Sequence, residues 1–129
     1  MNDVLQEWLK YIEQDLSVAK HLYDKFYPKP FEIICYHCEQ AAEKAVKMLI
    51  VNKGSQGGLP RSHDISFLLN QINHMYSIPD EYYDYADTLS KYGVAARYPN
   101  ELFLDDFDAM EAIKYSEKIV SWAKSQLND

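Results

Sequence analysis

Apolar residues recur at three- and four-residue steps through most of the chain, the spacing that places them on one face of a helix. Leu5, Trp8, Ile12, Leu16, Ala19 and Tyr23 define a first helix over residues 3–26, with Asn2 or Asp3 placed to cap it and Pro28 and Pro30 to stop it. Ile34, Cys38, Ala41, Ala42, Ala45, Met48 and Leu49 define a second over 31–53, whose alanines let a neighbour approach closely. Gly54 then fits the left-handed position past a helix end. Residues 55–63 read as a loop. Ile65, Leu68, Leu69 and Ile72 mark a short helix over 64–75, capped by Ser62 or His63. Pro79 suits the first position of a helix over 79–96, striped by Tyr82, Tyr85, Ala86, Leu89, Tyr92 and Gly93. Pro99 breaks the chain, and Asp105, Asp106 and Asp108 open a last helix over 105–127. Its stripe is Ala109, Ile113, Ser116, Val120, Ala123 and Leu127. No stretch alternates long enough to be a strand. The expected fold is all-α: an up-and-down bundle of four long helices plus one short one, forming one domain over residues 1–129.

Composition agrees with a folded chain. With 129 residues, 47% of them hydrophobic and only 4 Gly and 5 Pro, the chain can bury a core without staples. A disordered tail or fibrous repeat is excluded. No window approaches the roughly 18 apolar residues of a membrane span. The first residues, Met1 to Glu7, lack a basic start and an apolar block, so the expected location is cytoplasmic. Eleven Tyr, five Phe and two Trp exceed what a small bundle easily encloses, which points to a homodimer.

Charge is unevenly spread. The formal net charge is -7, yet residues 44–63 carry Lys44, Lys47, Lys53 and Arg61 with no acid. Residues 80–111 carry 9 acids against Lys91 and Arg97. An acidic chain repels a polyphosphate at long range, so any nucleotide or RNA contact must be local, and 44–63 is the best place for it. The acidic stretch suits a basic partner surface; both runs also fit solvated helix faces.

Most signatures of catalysis are missing. Cys35-Tyr36-His37-Cys38 is a single C-x-x-C inside a helix, without the second half of a zinc site, and reads as core packing with reduced thiols. No H-E-x-x-H or G-x-S-x-G is present. Lys53-Gly54-Ser55 has the letters of a phosphate loop in the wrong order. No metal and no cofactor are expected. Two polar groups remain. Arg61-Ser62-His63-Asp64 opens the third helix, where free N–H groups can meet an anion or simply be capped. Arg97-Tyr98-Pro99 follows the fourth, with a guanidinium suited to phosphate or to a nearby carboxylate. His37 lies just off the apolar stripe, open to a groove or a dimer partner. The tyrosines Tyr82, Tyr83, Tyr85, Tyr92 and Tyr98 fit core or interface better than a base-stacking platform.

Three separated motifs resemble one family. The run His37-Cys38-Glu39-Gln40-Ala41-Ala42-Glu43-Lys44-Ala45-Val46-Lys47 looks like the second-helix signature of HEPN domains. His63-Asp64 with Leu68-Leu69 resembles their short third helix, and Arg97-Tyr98-Pro99 their segment after helix four. The similarity runs over about residues 5–127. It implies a small helical protein that dimerises and is often paired with a minimal nucleotidyltransferase in toxin–antitoxin-like couples. The helical domain of a kanamycin nucleotidyltransferase is related.

Many members of that family are metal-independent ribonucleases with an R-x4-6-H motif. Arg97 matches the motif's Arg, but Leu102, Phe103 and Leu104 stand where its His is required. A step that needs a proton carrier lacks it there. The resemblance therefore favours a non-catalytic or weakly catalytic protein that binds a nucleotide, a nucleotidyltransferase partner, or both. Arg97, Tyr98, Arg61, His63, Lys44 and His37 are the candidate phosphate contacts, and no catalytic residue is assigned. The alternative is a divergent ribonuclease toxin, with His63 or His37 reaching the groove.

Overall fold

A computed structural model describes residues 2–54, 58–93 and 103–127. Within them the chain forms α1 (Asp3–Lys25), α2 (Phe31–Asn52), α3 (Ile65–Ile72), α4 (Glu81–Ser90), a 3-10 turn (Lys91–Gly93) and α5 (Asp106–Ser125), and no strand. The ends of the long helices follow local chemistry. The Asn2 side chain accepts the Leu5 N–H at 2.8 Å, so Asn2 rather than Asp3 caps α1. Past α2, Gly54 sits at φ 64°, where a side chain would be strained. Asp105 and Asp108 each accept the other's backbone N–H at 3.0 Å, a reciprocal cap that fixes the start of α5.

The shorter elements depart from the sequence pattern. Asp64, not Ser62 or His63, caps α3 by accepting the Phe67 N–H. α3 stops at Ile72 instead of 75, because the N–H groups of Met75 and Tyr76 both return to the Ile72 carbonyl. Tyr76 is then drawn inward, donating its hydroxyl to the Leu49 carbonyl at 3.2 Å. Pro79 does not take the first position of α4. Its carbonyl accepts the Tyr82 N–H at 3.0 Å, a tight turn that precedes the helix. α4 gives way to the 3-10 turn at Lys91, and the expected continuation to residue 96 lies outside the described residues, as do Arg97 and Tyr98.

α2 is the central element, in contact with α1, α3, α4, the 3-10 turn and α5. That explains a composition apolar on several sides. Ile34, Cys35, Cys38, Ala41, Ala42, Ala45, Met48 and Leu49 are fully buried along it. The alanines let α1 and α5 pack close, and α5 answers with Ala109, Ala112, Ser116 and Ala123. Ser116 is satisfied in the core by donating to the Cys38 carbonyl at 2.7 Å. Cys35 and Cys38 are free and buried, and burial pushes the Cys35 thiol up to about 12. Such thiols are inert packing groups at neutral pH. Tyr92 belongs to the core, while Tyr82, Tyr83 and Tyr85 pack half-buried against it. Among the described residues no helix is long and apolar enough to cross a membrane.

Candidate functional site

The polar residues that α2 carries into this core form the most unusual feature of the molecule. Glu39 and Glu43 share a stripe with Val46 and Ile50, and all four are buried. A carboxylate placed there must be paired or neutralised. Glu43 is paired. Its Oε2 accepts Lys47 Nζ at 2.7 Å and faces His63 Nδ1 at 3.0 Å. Because a carboxylate only accepts, the imidazole proton must sit on Nδ1, which leaves Nε2 for another partner. Asp64 makes this possible: by taking over the α3 cap it frees His63 to reach α2.

Glu39 is neutralised instead. Its Oε1 accepts the Gln40 amide at 2.7 Å, but Glu39 Oε2 and Glu43 Oε1 are buried without a partner among the described residues. Burial, and then the hydrogen bond and charge of Glu43, push the Glu39 carboxyl well above the ordinary carboxylate range. Burial alone would raise Glu43 too, but hydrogen bonds from Glu39, Lys47 and His63 outweigh it and hold Glu43 low. A proton kept on Glu39 and donated to Glu43 satisfies both orphan oxygens with one O–H. It also removes one negative charge from the cluster.

The 3-10 turn closes over this pair. A side-chain carbon at Gly93 would lie 3.4 Å from Glu39 Cδ and Oε2, so the backbone there rests on the carboxyl. Gly93 is also the last described residue before the stretch that carries Arg97. Glu43, Lys47 and His63 thus stand where α2, the approach to α3 and the exit of α4 meet.

A second ionic cluster lies between α1 and α2. Asp15 binds Lys44 Nζ through one oxygen and His37 Nδ1 through the other, at 2.9 Å. Burial would raise the Asp15 carboxyl, but the hydrogen bonds from His37 and Lys44 hold it below its ordinary value. Lys44 and His37 are both committed to one acid.

The candidates read from the sequence are therefore divided. His63 joins Glu43 and Lys47. His37 and Lys44 join Asp15 instead. Arg61 is exposed over an open depression of about 320 Å³ that also holds Asp64, whose carboxylate disfavours an anion. Glu39, Glu43 and Lys47 were not singled out as site residues. The signal for them was present, since charged residues at i, i+4 and i+8 run on into the apolar positions Val46 and Ile50. Among the described residues, no group of three or more His, Cys, Asp or Glu is arranged to hold a metal.

Comparison with known proteins places these features. A Methanocaldococcus jannaschii protein named "Putative toxin MJ1304" is 27% identical over 139 residues, covering 95% of this chain and 87% of the relative. The crystal structure of TT1696 from Thermus thermophilus superposes with a TM-score of 0.80 at 26% identity, covering 98% of this chain and all of that one. ST0689, described as an archaeal HEPN homologue, superposes with a TM-score of 0.73 at 29% identity, covering 99% of this chain and all of that one. The HEPN domain pattern itself matches residues 5–126, a span that includes α2, the His63-Asp64 step and α5, and the chain belongs to the HEPN domain family.

Proposed function

We propose that this chain is the HEPN member of a toxin–antitoxin-like pair, and that it binds a nucleotide phosphate or a minimal nucleotidyltransferase partner rather than cutting RNA. The observation that carries the reading is the cluster at Glu43. There Lys47 and the exposed imidazole of His63 are oriented by one carboxylate, while protonated Glu39 adds no charge to repel an anion. Arg97 belongs to the same reading. Arg97 follows Gly93, which rests on Glu39, by four residues in sequence. Its guanidinium would take phosphate oxygens in pairs, with Tyr98 beside it. The name of the archaeal relative supports the toxin–antitoxin setting. On this reading the protein is a homodimer.

The absence of His from positions 102–104 argues against RNA cleavage. A second reading, a divergent ribonuclease, draws on one observation: His63 is an exposed imidazole backed by a carboxylate, the arrangement of a proton carrier. Arg97→Ala separates the readings. On the binding reading it weakens ATP, used as probe, by about tenfold or more, since a charge-assisted contact contributes roughly 1.5–3 kcal/mol. The melting temperature stays unchanged. If Arg97 is a structural ion-pair partner, melting falls and affinity stays. Metal-independent RNA cleavage by the native chain, lost in both Arg97→Ala and His63→Ala, would establish the ribonuclease.

A further inference from the structure

The chain has four histidines, and the fold treats them differently. His21 and His74 are exposed, and among the described residues no carboxylate holds either ring. His37 has a carboxylate, Asp15, but it is half-buried and packs against the Tyr36 ring, with centroids 5.4 Å apart. His63 alone combines a carboxylate with exposure: its Nδ1 stands 3.0 Å from Glu43 Oε2 while its side chain is 72% exposed. A carboxylate that holds the proton on Nδ1 leaves the ring's lone pair on Nε2. It also stabilises the positive charge that the ring acquires when Nε2 forms a bond, which is how a weak nucleophile is activated. Glu43 is buried, so its charge is less screened than that of a surface acid. Lys47 donates to the same oxygen at 2.7 Å, and its ammonium beside the ring suits the oxygens of an incoming phosphoryl group. The acids around the start of α3 already have donors. Asp64 accepts the Phe67 N–H, and Asp87 accepts the Ser66 hydroxyl at 2.6 Å. Arg61 and Lys91 offset their charge, Lys91 following Ser90, whose hydroxyl accepts the Ile65 N–H at 3.0 Å.

From this we propose that His63 is a covalent phosphoryl acceptor, its Nε2 taking a phosphoryl group from a donor of the acyl phosphate or phosphoramidate class, with Glu43 as the positioning residue. In the step the Nε2 lone pair attacks phosphorus and forms the N–P bond. The bond from phosphorus to the acyl oxygen or amine nitrogen breaks, and its electron pair departs with that group, as a carboxylate or, from N-protonated phosphoramidate, as ammonia. Nothing is oxidised or reduced. The ring becomes a phosphoimidazolium whose Nδ1–H stays hydrogen-bonded to Glu43, so no proton has to move as the bond forms. The inference uses the histidine of the binding reading above but does not need affinity for a nucleotide, so either can fail alone.

The test incubates the full chain with phosphoramidate and follows all four histidines by mass spectrometry of their peptides. His63 should gain a phosphoryl group about tenfold faster than His21, His74 or His37, the scale of one charge-assisted hydrogen bond. Proton–phosphorus NMR should place the new N–P bond on Nε2. Glu43→Gln keeps the shape of the side chain and removes its charge. It should slow His63 by about tenfold, leave His21 and His74 unchanged, and stay helical by circular dichroism. The comparison among the four histidines needs no variant, so it decides the matter even if Glu43→Gln does not fold. A His63 rate no higher than those of the other three, a bond on Nδ1, or an unslowed His63 in folded Glu43→Gln overturns the inference. Titration of ATP into the unmodified native protein tests the binding reading separately.

Discussion

Two ionic clusters form along α2 from the same parts: carboxylate, lysine and histidine. At Asp15 the account closes, because one acid takes one lysine and one histidine, each on its own oxygen, with side-chain exposures of 13%, 30% and 27%. At Glu43 it does not close. Lys47 and His63 share a single oxygen, the remaining buried oxygens of Glu39 and Glu43 are satisfied by one shared proton, and His63 is 72% exposed. The first arrangement ties α1 to α2. The second leaves the Nε2 of an exposed, carboxylate-oriented imidazole free for another partner, which a ligand site needs and a structural tie does not.

If that contrast is right, the two clusters respond differently to substitution. The largest effect is expected for Glu43→Leu. It leaves Lys47 and Glu39 without their partner in the interior, and breaking a buried pair costs about 3–5 kcal/mol. Urea unfolding measures it, and a loss below about 1 kcal/mol would mean that the site is wetter than its burial implies. His63→Ala should do the opposite, lowering affinity for ATP about tenfold with little change in stability, because the imidazole is exposed. Asp15→Asn should cost about 1 kcal/mol of stability, the scale of a half-screened pair, and leave affinity unchanged. An equal loss of affinity in Asp15→Asn would erase the distinction between the clusters.

The smallest effect is the most specific. Glu39 has its carboxyl pushed up from 4.5 to about 9 by burial and by Glu43. A folded state that holds a proton the unfolded chain has released loses stability as pH rises. The native protein should therefore lose stability relative to Glu39→Gln across that interval, and the difference should level off above it. The other carboxylates titrate in both proteins and cancel. A constant difference across the interval would show that Glu39 is ionised in the fold.

The helices were legible where local chemistry set their limits. Asn2, Gly54 and the Asp105–Asp108 pair announce the ends of α1, α2 and α5, and those ends fall within two residues of expectation. α3 and α4 were less legible, because distant contacts decide them. Tyr76 leaves the α3 pattern to bond the Leu49 carbonyl, 27 residues away in sequence. The site was partly legible. His63, His37 and Lys44 were singled out as polar residues beside apolar stripes, but nothing local says that His63 crosses to Glu43 while the other two cross to Asp15. Glu39 and Glu43 stood in the sequence only as members of the α2 run that resembles HEPN domains, in line with apolar Val46 and Ile50. They are buried because α3 and the 3-10 turn pack on that side, which periodicity within α2 cannot reveal. Arg97 and Tyr98 rest on sequence alone, since they lie outside the described residues.

The central claim, that the Glu43 cluster is the ligand site and the Asp15 cluster a structural tie, meets its most direct test in one calorimetric titration. ATP is titrated into His63→Ala and into His37→Ala, with native protein as reference. The account predicts that His63→Ala loses about tenfold in affinity and that His37→Ala binds like the native chain. Loss of binding in His37→Ala with native affinity in His63→Ala would place the ligand at the other cluster and contradict it.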